Sequence, residues 1–130
     1  MTTSALTDTQ REQLRVLLEQ RKEQLLQALD AIQRDTLAVA SDAARGDAEA
    51  PGSPRDQANN MAADMVRDAE AARDHAELVA VRAALERMAD GSYGECMDCG
   101  QGVGAARLLA QPSALRCIAC QSKAEARAKH

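Results

Sequence analysis

The strongest constraint on what this chain can fold into is where its helix breakers fall. No Gly or Pro occurs before Gly46 or between Arg55 and Asp90, whereas Gly46, Pro51, Gly52 and Pro54 crowd into one short segment. Two long uninterrupted stretches flanking one cluster of breakers read as two helices joined by a turn. Leu18, Leu25, Ile32 and Val39 recur every seven residues in the first stretch, and Leu14 and Leu29 widen the stripe. That period places one apolar seam along one helix, running from Thr9 to about Ala44.

Thr9 followed by Glu12 has the spacing of a capping box, in which hydroxyl and carboxylate satisfy free amides at a helix start. At the second helix Ser53 suits the N-cap, Pro54 the first helical position and Asp56 the first turn. This helix is expected to end at Asp90 and Gly91. Ala58, Ala62, Met65, Ala69, Ala72, Ala76, Val79 and Ala83 follow alternating spacings of four and three, the expected seam. Leu78, Val81, Leu85 and Met88 broaden it. Helices of about 36 and 37 residues each span about 55 Å at 1.5 Å per residue, so their lengths match as an antiparallel pair requires.

Composition agrees with an extended helical pair. The 130 residues include one aromatic, Tyr93, and neither Phe nor Trp. A round globule of this size buries several rings, while alanine-rich helices close a seam with small side chains. The start of the chain has neither a basic n-region nor an apolar run, so no secretory signal is read there and a cytoplasmic location is expected. No stretch approaches the roughly 18 apolar residues of a membrane helix.

All four cysteines fall in two pairs, Cys96-Met97-Asp98-Cys99 and Cys117-Ile118-Ala119-Cys120, with 17 residues between the pairs. Two residues between thiols let both sulfurs reach one tetrahedral ion, and Gly94, Gly100, Gly102 and Gly104 permit tight turns around it. Two disulfides are disfavoured in the cytoplasm, and no βαβ pattern surrounds either pair as a redox motif would have it. One Zn²⁺ on Cys96, Cys99, Cys117 and Cys120 is expected. Four thiolates close its coordination sphere, so the metal is structural and the chain is not a metal-dependent enzyme. Binding it takes the formal charge from −4 to about −6, which opposes nucleic acid as the main partner. His75 has no neighbouring ligand and reads as a surface or seam residue.

The run from Tyr93 to Cys120 resembles the zinc-finger signature of the DksA/TraR family. Gly94, Cys96, Cys99, Gly100, Val103, Arg107, Leu108, Pro112, Cys117 and Cys120 carry the likeness. The resemblance implies an all-α fold: a long antiparallel coiled-coil hairpin (1–90, tip at about 45–56), then a four-cysteine zinc finger with a short C-terminal helix from about Ile118 (91–130). It implies a transcription regulator that inserts the hairpin tip into the secondary channel of RNA polymerase and docks on its rim; a monomer is expected because the Pro51 to Pro54 turn favours an intramolecular hairpin. The family's tip motif is DxxDxA; here Ser53 stands for the first Asp, and Asp56 and Ala58 are retained.

Family members that respond to ppGpp hold its phosphates with basic residues. The corresponding positions are Ala80, Gln111 and Gln121, so weak or absent dependence on ppGpp is expected. Transcript cleavage by a tip-bound Mg²⁺ is a minor alternative: Asp56 alone fits, and Asp42, Asp47 and Glu49 are loop acids. Sequence-specific DNA binding is disfavoured because 101–111 holds Arg107 as its single cation. Lys123, Arg127 and Lys129 form a small basic face on the last helix, either solvated or touching polymerase. The rival reading is a structural or redox-sensing zinc module that binds another protein through its hairpin.

Overall fold

The computed structural model describes residues 6–44 and 53–128. Four helices follow in order: α1 (Asp8–Ala44), α2 (Pro54–Asp90), α3 (Ala105–Ala110) and α4 (Ile118–Ala128). An isolated antiparallel bridge, Glu95 to Gly102, is the β pairing among the described residues. The fold is all-α, an antiparallel pair of long helices with a four-cysteine finger and a short C-terminal helix.

Helix α1 starts one residue before the expected position, and its cap lies two residues earlier. The Gln10 amide donates to Thr7 Oγ1 at 3.1 Å, and the Thr7 amide donates to Gln10 Oε1 at 3.0 Å. The reciprocal box is therefore Thr7 with Gln10, not Thr9 with Glu12. Glu12 instead bonds Arg15 at 2.5 Å. Asp8 in the first turn also favours this start, where the exposed amides attract negative charge. Helix α2 begins where expected: Ser53 Oγ accepts from the Asp56 amide at 3.2 Å.

The described chain divides into two compact units. The first joins 1–23 to 77–130, and the second is 24–76. In the first unit α1 and α2 run antiparallel, since the start of α1 at Asp8 and Arg11 shares a cleft with Met88 and Gly91 at the end of α2. Arg21 grips Glu77 through Nε at 2.5 Å and Nη2 at 2.6 Å. Leu14 and Leu18 of α1 and Leu78, Val81 and Ala84 of α2 are buried, as are Tyr93, Val103, Leu108 and Ala114 beyond the helical pair. Burying each large aliphatic side chain contributes about 1.5–3 kcal/mol.

The second unit is sparsely packed. Leu25 is buried, Leu29 and Ile32 are half-buried, and the side chain of Val39 lies outside the described residues. On α2 the seam differs from the expected one. Met65 and Val79 are 70% and 68% exposed, and Ala58, Ala62, Ala69, Ala72 and Ala76 are exposed as well. Arg67, Ala71 and Asp74 turn partly inward, followed by Leu78, Val81, Ala84, Leu85 and Met88. The reason is weight of burial. A helix with alanine on every side offers several four-and-three stripes, and the one holding leucine and valine removes more apolar area from water.

Candidate metal centre

The first cysteine pair sits on a tight loop closed by backbone bonds. The Cys96 amide donates to the Gln101 carbonyl at 2.7 Å, the Gly100 amide to the Cys96 carbonyl at 3.0 Å, and the Val103 amide to the Gly94 carbonyl at 2.7 Å. Gly100 has φ +76° and Gly94 has φ +94°, which side chains rarely tolerate. At Gly94 an added Cβ would also lie 3.6 Å from Leu108 of α3, the buried residue beneath the loop.

The second pair opens α4. Cys117 directly precedes the helix, and its carbonyl accepts from the Gln121 amide at 2.9 Å. Cys120 follows in the first turn, so both sulfurs lie where helix amides favour negative charge. Short links outside the ligands join the two pairs. The Met97 amide donates to the Leu115 carbonyl at 2.8 Å, Arg116 Nε donates to Asp98 Oδ2 at 2.7 Å, and Arg107 Nε donates to the Arg116 carbonyl at 3.0 Å. Tyr93 pins the intervening loop by donating its hydroxyl to the Pro112 carbonyl at 2.8 Å, and its burial pushes its pKa up to about 12.

The four Sγ atoms all lie within 4.8 Å of one another, and Cys99 Sγ is 3.8 Å from Cys117 Sγ. That separation is far beyond the roughly 2.05 Å of a disulfide. It equals the edge of a tetrahedron whose metal–sulfur bonds are about 2.3 Å. Protonation chemistry fits as well. Burial works against ionisation of Cys96, yet the amides of Cys117, Cys99 and Asp98 hold its pKa down to about 6. The neighbouring sulfurs of Cys117 and Cys96, together with burial, push Cys120 up to about 12. Four thiolates this close repel one another unless a cation lies among them. The donor set is therefore a closed four-sulfur site, and one structural zinc ion fits it.

The structure brings all four sequence-assigned cysteines together. Asp56 and Ala58 are exposed in the first turns of α2 and belong to the other compact unit. The expected tip loop, with Asp47 and Glu49, lies outside the described residues 6–44 and 53–128, as do Lys129 and His130, and so does the side chain of Asp42. His75 is exposed, and among the described residues the cysteines are the group arranged to hold a metal. Sequence reasoning missed the short helix α3 and the pairing of Asp98 with Arg116. Seventeen residues lie between them, and no local pattern announces the pair. Arg107 supports the finger through the carbonyl of Arg116. Arg87 ties the end of α2 to the finger by donating to the carbonyls of Ser92, at 3.2 Å, and Glu95.

A closed tetrathiolate site carried on a helical pair defines a helical protein with a C4 zinc finger. Comparison with known proteins narrows that class. Residues 91–126 match the family described as the prokaryotic dksA/traR C4-type zinc finger. Over 44 residues the chain is 46% identical to the RNA polymerase-binding transcription factor DksA of two Caulobacter vibrioides strains, a stretch that covers 34% of this chain. The match spans about a third, 31%, of the length of those curated relatives. The solved structure of transcription factor DksA2 from Pseudomonas aeruginosa superposes with a TM-score of 0.69 at 25% identity, covering 95% of this chain and 88% of that one. Residues 91–126 thus carry a finger of the dksA/traR type, on a fold similar to that of DksA2. Among the described residues no helix is long and apolar enough to cross a membrane.

Proposed function

We propose that this protein regulates transcription by binding RNA polymerase directly, as a monomer in the cytoplasm, and that it acts without catalysing a reaction. The observation that carries the reading is fold similarity over 95% of the chain to a transcription factor, DksA2, joined to a finger at residues 91–126 that matches the dksA/traR C4 type. In this reading the finger and the neighbouring helical ends dock on the rim of polymerase. The tip of the hairpin enters the secondary channel, where Asp56 and Ala58 perturb the active-site region and destabilise promoter complexes.

Two features support the division of labour. Asp56 is exposed in the first turn of α2, where a partner can reach it. The finger has a buried core of its own, which suits it to rigid docking. Ala80, Gln111 and Gln121 supply no cation for the phosphates of ppGpp, so regulation is expected to depend on ppGpp weakly or not at all. Base-specific contact with DNA is not part of the reading.

Binding to purified bacterial RNA polymerase core, combined with initiation at a ribosomal promoter, tests the proposal. Wild type is expected to bind and inhibit, while Asp56→Asn binds with similar affinity and fails to inhibit. Failure of the wild type to bind core would sink the polymerase reading. Full inhibition by Asp56→Asn would leave binding intact but remove the role given to the tip carboxylate.

A further inference from the structure

The two cysteine pairs differ in one respect that ligand spacing does not require. Met97, Ile118 and Ala119 between the ligands are uncharged, but Asp98 places a carboxylate between Cys96 and Cys99. Four thiolates around a dication leave a net charge of about −2 on the centre. A carboxylate one residue from a ligand therefore stands beside charge of its own sign, which is unfavourable unless it is compensated.

The compensation comes from the other cysteine pair. Arg116, the residue before Cys117, donates Nε to Asp98 Oδ2 at 2.7 Å. The side chains of Arg116 and Asp98 are 32% and 34% exposed, so solvent screens the pair only in part. Both partners are held in place from behind. The Asp98 amide lies 3.4 Å from Cys96 Sγ as a donor, and the Arg116 carbonyl accepts from Arg107. A continuous path thus runs from Arg107 through Arg116 and Asp98 to a ligand sulfur, crossing from one pair to the other.

We infer that Arg116 is a positioning residue for the metal centre, which holds zinc in the finger by neutralising Asp98 beside the thiolates. The inference rests on the tetrathiolate centre and is independent of what the protein binds. It has an unusual signature. Asp98 is harmful to metal retention when Arg116 is missing, so removing both should do less damage than removing Arg116 alone. A plain hydrogen-bonded latch behaves otherwise: either single substitution breaks it equally, and the double substitution is no better.

The test is the rate at which the full-length zinc-loaded protein transfers its metal to an excess of a coloured chelator. Arg116→Gln is expected to speed transfer roughly tenfold, the scale on which groups behind metal ligands act. Asp98→Asn should stay within about twofold of wild type, and Asp98→Asn with Arg116→Gln should recover to within about threefold, a coupling expected for contacting residues. Arg116→Lys keeps the charge without the planar fork and should remain close to wild type, which preserves the test should Arg116→Gln fold poorly. In each variant the cobalt-substituted protein should keep the absorption of a four-sulfur tetrahedral site. The inference is overturned if Arg116→Gln releases zinc at the wild-type rate, or if the double variant is as fast as Arg116→Gln. It is equally overturned if Arg116→Lys is as fast as Arg116→Gln, or if the cobalt spectrum shows a lost sulfur.

Discussion

The two compact units are built from the same two helices and yet are held together differently. The unit of 1–23 and 77–130 contains Leu14, Leu18, Leu78, Val81, Leu108 and Tyr93 as buried residues, together with a tetrathiolate site. The unit of 24–76 has Leu25 as its one fully buried large side chain among the described residues. It exposes Leu37, Met61, Met65 and Val66. Helices hold together by burying an apolar stripe, and here the inward positions of α2 are Arg67, Ala71 and Asp74, which remove little apolar area from water. The first unit therefore has the stability to serve as an anchor. The second has the thin, exposed helices suited to entering a confined space, which is the part the proposed function assigns to it.

Metal removal should break the comparison most severely. Chelation, or Cys96→Ser, is expected to unfold 91–128 while leaving helical signal from α1 and α2, because a site of four thiolates has no purely hydrophobic substitute in so small a module. Circular dichroism with and without chelator, alongside proteolysis of the finger, checks this; a finger that stays protected without metal would show that its small core suffices.

Core truncation sharpens the contrast between the units. Leu18→Ala should cost about 2–5 kcal/mol in denaturant unfolding. Met65→Ala, at a position 70% exposed, should change stability by less than about 0.5 kcal/mol. Comparable losses at the two sites would mean that the outward stripe of α2 is covered in solution.

Caps and ion pairs come next in size. Ser53→Ala removes the acceptor of the Asp56 amide and is expected to cost about 1 kcal/mol, seen as faster amide exchange at the start of α2. Glu77→Gln should cost less than about 1 kcal/mol, since both partners of its ion pair are well exposed. Its hydrogen bond from Arg21 holds the folded carboxyl below its ordinary value. The Glu77 contribution is therefore present above the ordinary carboxylate range and is lost as pH falls through the lowered folded value. Wild type and Glu77→Gln should differ at neutral pH and converge in acid; a gap that widens on acidification would contradict this sign.

Much of this protein was legible in one dimension because its determinants are local. The absence of Gly and Pro sets the extent of both long helices, and Ser53-Pro54 marks the start of α2 within a residue. Two CxxC pairs specify four ligands because thiolate coordination depends on spacing and little else. Tertiary structure decided what local rules leave degenerate. Thr7 and Thr9 both offer a cap, and the partner that closed the box, Gln10, selected Thr7. Alanine on every side of α2 permits several seams, and Leu78 and Val81 selected among them by the area they bury. The contact of Asp98 with Arg116 joins residues far apart in sequence, and it exists because the fold wraps both cysteine pairs around one centre.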